Sequence, residues 1–286
     1  MSGTRDWSRE WPAPAKLNLF LHVVGRRGDG YHLLQTVFRF VDHGDILRFH
    51  PREDGAIVLA RPLPGVDPDH HLCVRAARRL REFAGIAAGA AIDLDKRLPM
   101  GGGLGGGSSD AATTLIALNH LWGCGLGSAD LQRLGLELGA DVPVFVHGRT
   151  TFAEGVGERF TDVSAPPAWY LVVVPRVQVP TPAIFRDPLL RRDAPPVAPA
   201  DWRPGFGGND LEAVACRLFP EVGRVLAALR ADGLDARMSG SGACCFVEFA
   251  DAPAARAAGA ALPAGTPAFV ARGLDVHPLR GLTPEA

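Results

Sequence analysis

The chain contains almost no lysine: of 30 basic residues in 286, only Lys16 and Lys96 are lysines, and the other 28 are arginines. It also lacks net charge, with 31 acidic residues against 30 basic and a formal balance of −1. That neutrality argues against general electrostatic capture of nucleic acid or an anionic membrane surface. The five cysteines, Cys73, Cys124, Cys216, Cys244 and Cys245, form no CxxC pair and no metal-ligand spacing. An odd count in a chain of this size reads as reduced thiols in a cytoplasmic protein. No apolar run is long enough for a membrane span; the stretch 111–129 is interrupted by Thr113, Thr114, Asn119 and His120. The first 16 residues lack the apolar core of a signal peptide. Nor is there an HExxH, a paired-histidine metal motif, a solenoid period or a regular βαβ repeat. Two domains or one large one fit the length.

What is present is mixed α+β. In 15–24, Leu17, Leu19, Leu21 and Val23 alternate with Lys16, Asn18, Phe20 and His22, which predicts a strand with Lys16 and Asn18 on one face. A turn over 25–30, a strand over 34–41, a second turn over 42–45 and a strand over 46–49 follow. Asp69 is expected to cap a helix over 70–84, and Ser128 another that ends near Gly139. Asn209 and Glu212 read as a capping box for a helix running to about 219. The proline-rich stretches 164–167 and 194–204 are the candidates for an interdomain link and a surface loop.

Three segments could carry chemistry. Pro99-Met-Gly-Gly-Gly-Leu-Gly-Gly-Gly-Ser-Ser-Asp110 places six glycines in seven positions before a helix. Bare glycines let successive N–H groups wrap an anion, and a helix N-terminus adds partial positive charge, so a phosphate cradle is the natural reading. It is not a Walker A loop, because no lysine follows the glycines. A dinucleotide fold would need a strand running directly into the loop, and Lys96-Arg-Leu-Pro99 intervenes. The second segment, Gly139-Ala-Asp-Val-Pro-Val-Phe145, holds Asp141 in apolar, proline-fixed surroundings: either a turn residue or a carboxylate with a partner or a task. The third, Ser239-Gly-Ser-Gly-Ala-Cys244, taken alone is a tight turn before a strand.

Taken in order with Pro14-Ala-Lys-Leu-Asn18 and Gly28-Asp-Gly-Tyr-His32, these segments resemble the GHMP kinase superfamily from about residue 11 to 280. Within it they resemble the branch acting on a cytidine-diphosphate-linked methylerythritol. That resemblance implies a two-domain fold, with a ribosomal protein S5 domain 2-like part over 1–164 and a ferredoxin-like part over 165–286. It implies that ATP, with Mg²⁺, phosphorylates the 2-hydroxyl of 4-diphosphocytidyl-2-C-methyl-D-erythritol, a step of non-mevalonate isoprenoid synthesis. The expected partner is this small molecule, for a monomer or weak homodimer. Asp141 would accept the hydroxyl proton, and Lys16 would orient Asp141 and offset the transferred charge. Lys96, Pro99, Met100, Gly101, Gly102, Gly103, Leu104, Gly105, Gly106, Gly107, Ser108 and Ser109 would hold ATP, with Ser108 or Ser109 as a metal contact. The family commonly has Asn where this chain has His71, at the adenine pocket. Tyr31 and Phe185 would stack on the cytosine and His32 would read its edge. Asn18, Phe38 and Thr181 would make further substrate contacts.

Overall fold

The structure, a computed structural model, describes residues 6–63 and 65–283. The outermost ends of the two expected domains, 1–5 and 284–286, lie outside the described residues. The chain opens with a long hairpin of β1 (Trp11–Arg26) and β2 (His32–Arg52), paired antiparallel from Trp11↔Leu47 to Arg26↔His32. The first half continues with β3 (Ile57–Leu59), α1 (Leu72–Ala84), β4 (Gly89–Asp95), α2 (Gly106–Trp122), α3 (Ser128–Leu138), α4 (Val142–His147), β5 (Thr151–Glu154) and β6 (Arg159–Asp162). The second half holds β7 (Trp169–Val173), α5 (Thr181–Arg186), α6 (Glu212–Leu218), α7 (Pro220–Ala231), β8 (Arg237–Met238), β9 (Cys245–Phe249), α8 (Ala252–Ala260) and β10 (Ala268–Leu274).

The second half pairs its strands antiparallel in the spatial order β10-β7-β9-β8, with helices between β7 and β8 and between β9 and β10. This is the ferredoxin-like arrangement. In the first half, β2 is the hub, pairing with β1, β4 and β5. A short β2–β10 contact, Gly273↔Val41 and Leu274↔Phe40, joins the two sheets. The fold is thus the expected two-domain α+β arrangement. The expected boundary at 164/165 falls in the coil 163–168 between β6 and β7. The tail beyond β10, however, returns to the first half. Leu279 enters its core, and the His277 ring meets Phe40 edge-on at 5.4 Å.

Four local expectations are corrected. No turn interrupts 42–45: β2 runs straight through, because Gly44 lies so close to Ala13 and Pro14 of β1 that any Cβ would collide. The cap of α1 is His71, whose Nδ1 accepts from the Cys73 N–H at 3.2 Å, whereas Asp69 sits in the preceding single 3₁₀ turn. Ser128 is the first helical residue of α3 and Gly127 its cap. Asn209 and Glu212 form no capping box. Asn209 spends its amide on the carbonyls of Met238 and Gly240, both at 2.8 Å, and so anchors the 239–242 turn.

Candidate active site

The hairpin turns one lysine into a cleft. Pro14 has no N–H to give β2, and the β1–β2 register slips between Pro14 and Lys16. The Lys16 N–H bonds the Leu104 carbonyl at 3.0 Å instead, tying β1 to the glycine run. The Lys16 side chain is almost fully buried, and its ammonium has three oxygen neighbours: Asn18 Oδ1, the Gly103 carbonyl at 3.1 Å and Asp141 Oδ2 at 3.3 Å. Asn18 is held in turn, its Nδ2 donating to Thr36 Oγ1 at 2.9 Å, while Thr36 donates to the Phe20 carbonyl. Oδ1 and one Nδ2 hydrogen of Asn18 are therefore engaged inside the protein, where it braces Lys16, and the residue also lines the cleft. The Phe38 ring lies 5.3 Å from the ammonium. Asp141 stands at the entrance to α4, and its carboxylate is 36% exposed, open to a substrate.

The glycine run commits its carbonyls to partners within the protein. Gly101 O accepts from Ala243 N, Gly102 O from Cys244 N, Gly103 O from the Ser239 hydroxyl and from Lys16, and Leu104 O from Lys16 N. The N–H groups of 101–108 find no partner among the described residues. The result is a row of free donors ending at the N-terminus of α2, which suits a polyphosphate. Gly103 has φ +74°, and a Cβ there would lie 2.1 Å from the Ser239 carbonyl. The 239–242 turn is therefore the opposing wall of the loop, a role that its sequence alone did not reveal. Its Ser241 hydroxyl meets Thr181 Oγ1 at 2.8 Å.

Lys16, Asn18, Phe38, Asp141, the run 101–108, Thr181 and Ser241 open on one cleft of about 1000 Å³. His71, Leu63 and Val66 line it, as do Tyr31, His32, Thr181 and Phe185. Phe185 leans on the His32 ring, with centroids 4.9 Å apart at 34°. Tyr31 stands 61% exposed at the hairpin tip. Burial, reinforced by the nearby Lys96 charge, holds the His71 pKa below the usual imidazole value, consistent with a neutral ring whose Nδ1 accepts.

Two of the residues expected to contact ATP have partners within the protein. Ser109 is fully buried and donates to the Pro14 carbonyl at 2.7 Å, so it fastens α2 to β1; of the two hydroxyls, Ser108's lines the cleft. Lys96 reaches the cleft wall, but its ammonium is shared between Asp45 at 2.5 Å and Asp110 at 2.8 Å. Asp45 also accepts from the N–H groups of Arg97 and Leu98, at 2.6 and 2.8 Å, and so shapes the approach to the glycine run. Burial alone would lower the Lys96 pKa, but the two carboxylates outweigh it and keep the lysine firmly cationic. Asp110 is pushed up to about 8, first by burial and then by Asp45, against the pull of Lys96. No carboxylate signal in the sequence pointed to Asp45 or Asp110, because the two are brought together from 65 positions apart by the β2–β4 pairing and the start of α2.

Among the described residues, no group of three or more His, Cys, Asp or Glu could hold a metal ion, and no helix is long and apolar enough to cross a membrane. The five cysteines are free thiols.

Residues 71–149 match the family described as GHMP kinases N terminal domain, and residues 198–267 match GHMP kinases C terminal. A 4-diphosphocytidyl-2-C-methyl-D-erythritol kinase of Dechloromonas aromatica is 62% identical over 269 residues, covering 94% of this chain and 98% of the relative. The enzyme of the same description from Thiobacillus denitrificans is 58% identical, covering 97% of this chain and all of the relative. A solved structure of a 4-(cytidine 5'-diphospho)-2C-methyl-D-erythritol kinase is 40% identical, with a TM-score of 0.79, covering 93% of this chain and 99% of that one.

Proposed function

Because the chain belongs to the 4-diphosphocytidyl-2-C-methyl-D-erythritol kinase family of the GHMP kinases, we propose that its cleft transfers the γ-phosphoryl group of ATP to the 2-hydroxyl of that substrate, in non-mevalonate isoprenoid synthesis. The observation that carries this reading is the Lys16–Asp141 pair beside a row of unpaired N–H groups.

The chemistry is mostly positioning and electrostatics. The N–H groups of 101–108 and the start of α2 cradle the polyphosphate, and Lys16 lies between that cradle and Asp141. Asp141 takes the proton of the 2-hydroxyl as its oxygen bonds to the γ-phosphorus, while the bond to the β–γ bridging oxygen breaks and ADP leaves. The carboxylate needs no unusual basicity once the hydroxyl is in line, and such help is worth about 10²–10⁴ in rate. Lys16 holds Asp141 in place and offsets negative charge on the group in transit. Mg²⁺ fits this cleft as an ion carried chiefly by the phosphates, because the Ser108 hydroxyl has no partner among the described residues and no carboxylate cage is needed. When bound, it would neutralise phosphate charge, with Ser108 as its protein ligand. His71, Leu63 and Val66 supply the wall for the adenine; Tyr31, His32 and Phe185 supply the cytosine end, with Phe38 and Thr181 along the rest of the substrate. The reading places the protein in the cytoplasm, where ATP and reduced thiols coexist.

ATP consumption by the purified protein with 4-diphosphocytidyl-2-C-methyl-D-erythritol tests this directly. Turnover is expected with that acceptor, and Asp141→Asn is expected to lower kcat by about 10²–10⁴. Full activity in that variant, or no turnover with this acceptor, overturns the reading.

A further inference from the structure

His32 opens β2 and lines the cleft, and its ring has one nitrogen that the fold has already used. Arg192, from the segment after α5, does not line the cleft; its Nε donates to His32 Nε2 at 3.0 Å. A guanidinium can only donate, so Nε2 must be the acceptor and the proton of the neutral imidazole must sit on Nδ1. Three of the four remaining Arg192 donors are spent on carbonyls: Leu190 at 2.8 Å, Asp187 at 2.7 Å and Phe185 at 3.1 Å. The fork is thus fixed in the segment that carries Phe185 and has no freedom to follow a ring flip. Burial, with the charges of Arg192 and Arg26, disfavours a second proton on the ring. Nδ1–H is left without a partner among the described residues.

Resting on the reading that the cytidine end of the substrate lies here, we infer that Arg192 sets the choice of cytosine over uracil by holding His32 in the Nδ1–H tautomer, which presents a donor to N3 of the base. N3 of cytosine carries a bare lone pair, whereas N3 of uracil carries a hydrogen. A fixed donor is therefore matched by the first base and opposed by the second. In the other tautomer the relation reverses. Phe185 and Tyr31 stack on either base equally, so stacking cannot supply this discrimination. A site built to hydrogen-bond one edge rejects the mismatched edge strongly, because its own buried polar group is then left unpaired.

The test compares kcat/KM for the cytidine substrate and its uridine counterpart in the native protein, Arg192→Met and Arg192→Lys. The native protein is expected to prefer cytidine, and Arg192→Met to lose about tenfold or more of that preference. Arg192→Lys keeps a donor for Nε2 and is expected to retain most of the ratio, even as KM rises from loss of the carbonyl brace. Imidazole ¹⁵N shifts should report the Nδ1–H tautomer at His32 in the native protein and not in Arg192→Met. Equal losses for both substrates, with the tautomer unchanged, would make Arg192 a loop brace only and overturn the inference. Should neither substrate be phosphorylated, the functional reading fails instead. The ¹⁵N shifts and the ratio of cytidine to uridine diphosphate binding then still decide the role of Arg192.

Discussion

Exchanging Lys16 for arginine keeps the charge and changes only its shape, which makes it the most informative perturbation of the site. The lysine stem passes beneath Gly105, whose missing Cβ would lie 3.1 Å from both Cγ and Cε, and its side chain is 3% exposed. The ammonium is a point charge meeting three oxygens from different elements: Asn18 on its own strand, Gly103 in the loop and Asp141 before α4. A guanidinium is longer, planar and forked, and cannot occupy that point. Overpacking at a closed site typically destabilises by about 1–3 kcal/mol. The gross attraction between the ammonium and Asp141 at 3.3 Å is about 5 kcal/mol at an effective dielectric of about 20, before desolvation and screening. Displacing the charge by an ångström or two therefore disturbs both the orientation of Asp141 and the charge balance of the transfer. Lys16→Arg should fold, lose about 1–3 kcal/mol by urea titration, and lose about 10² or more in kcat in a coupled ATP assay. Lys16→Met, which keeps the stem and deletes the charge, should be at least as inactive. Turnover of Lys16→Arg within about threefold of the native rate would refute any part in catalysis for the closed geometry around the ammonium.

Lys96 leads to a different expectation. Lys96→Met leaves Asp45 and Asp110 buried together without a cation, and breaking such a cluster typically destabilises by about 3–5 kcal/mol. A normal urea midpoint with only ATP affinity reduced would show Lys96 to be a nucleotide contact and nothing more. Asp110 predicts the pH dependence: its folded pKa of about 8 lies above its ordinary value of 3.8, so the folded state holds a proton that the unfolded chain has released. The stability linked to that proton is fully present below about 4 and is lost as pH rises to about 8. Urea midpoints between pH 5 and 9 should thus fall more steeply for the native protein than for Asp110→Asn, and parallel slopes would contradict the assignment.

Alternation of Lys16 and Asn18 with leucines is a property of a few adjacent residues, so β1 and its inward face were legible in the chain order itself. The glycine run was equally legible as a loop that cannot satisfy itself as helix or strand, and both lysines singled out by their rarity line the cleft beside it. What stayed hidden depends on pairing at long range. That Asp45 lies in an unbroken strand rather than a turn follows from the close approach of Gly44 to Ala13 and Pro14. That Lys96 serves two carboxylates follows from where β4 ends and α2 starts. Ser109 turns inward because the Pro14 carbonyl needs a donor. The 239–242 turn becomes a wall of the glycine loop only once the second domain docks, and Arg192 meets a histidine 160 positions away. The sequence by itself determined which local elements and which reactive side chains this protein has. The tertiary structure alone decided which buried charges share a partner and which donor each ring nitrogen presents, because those depend on neighbours that the chain order does not contain.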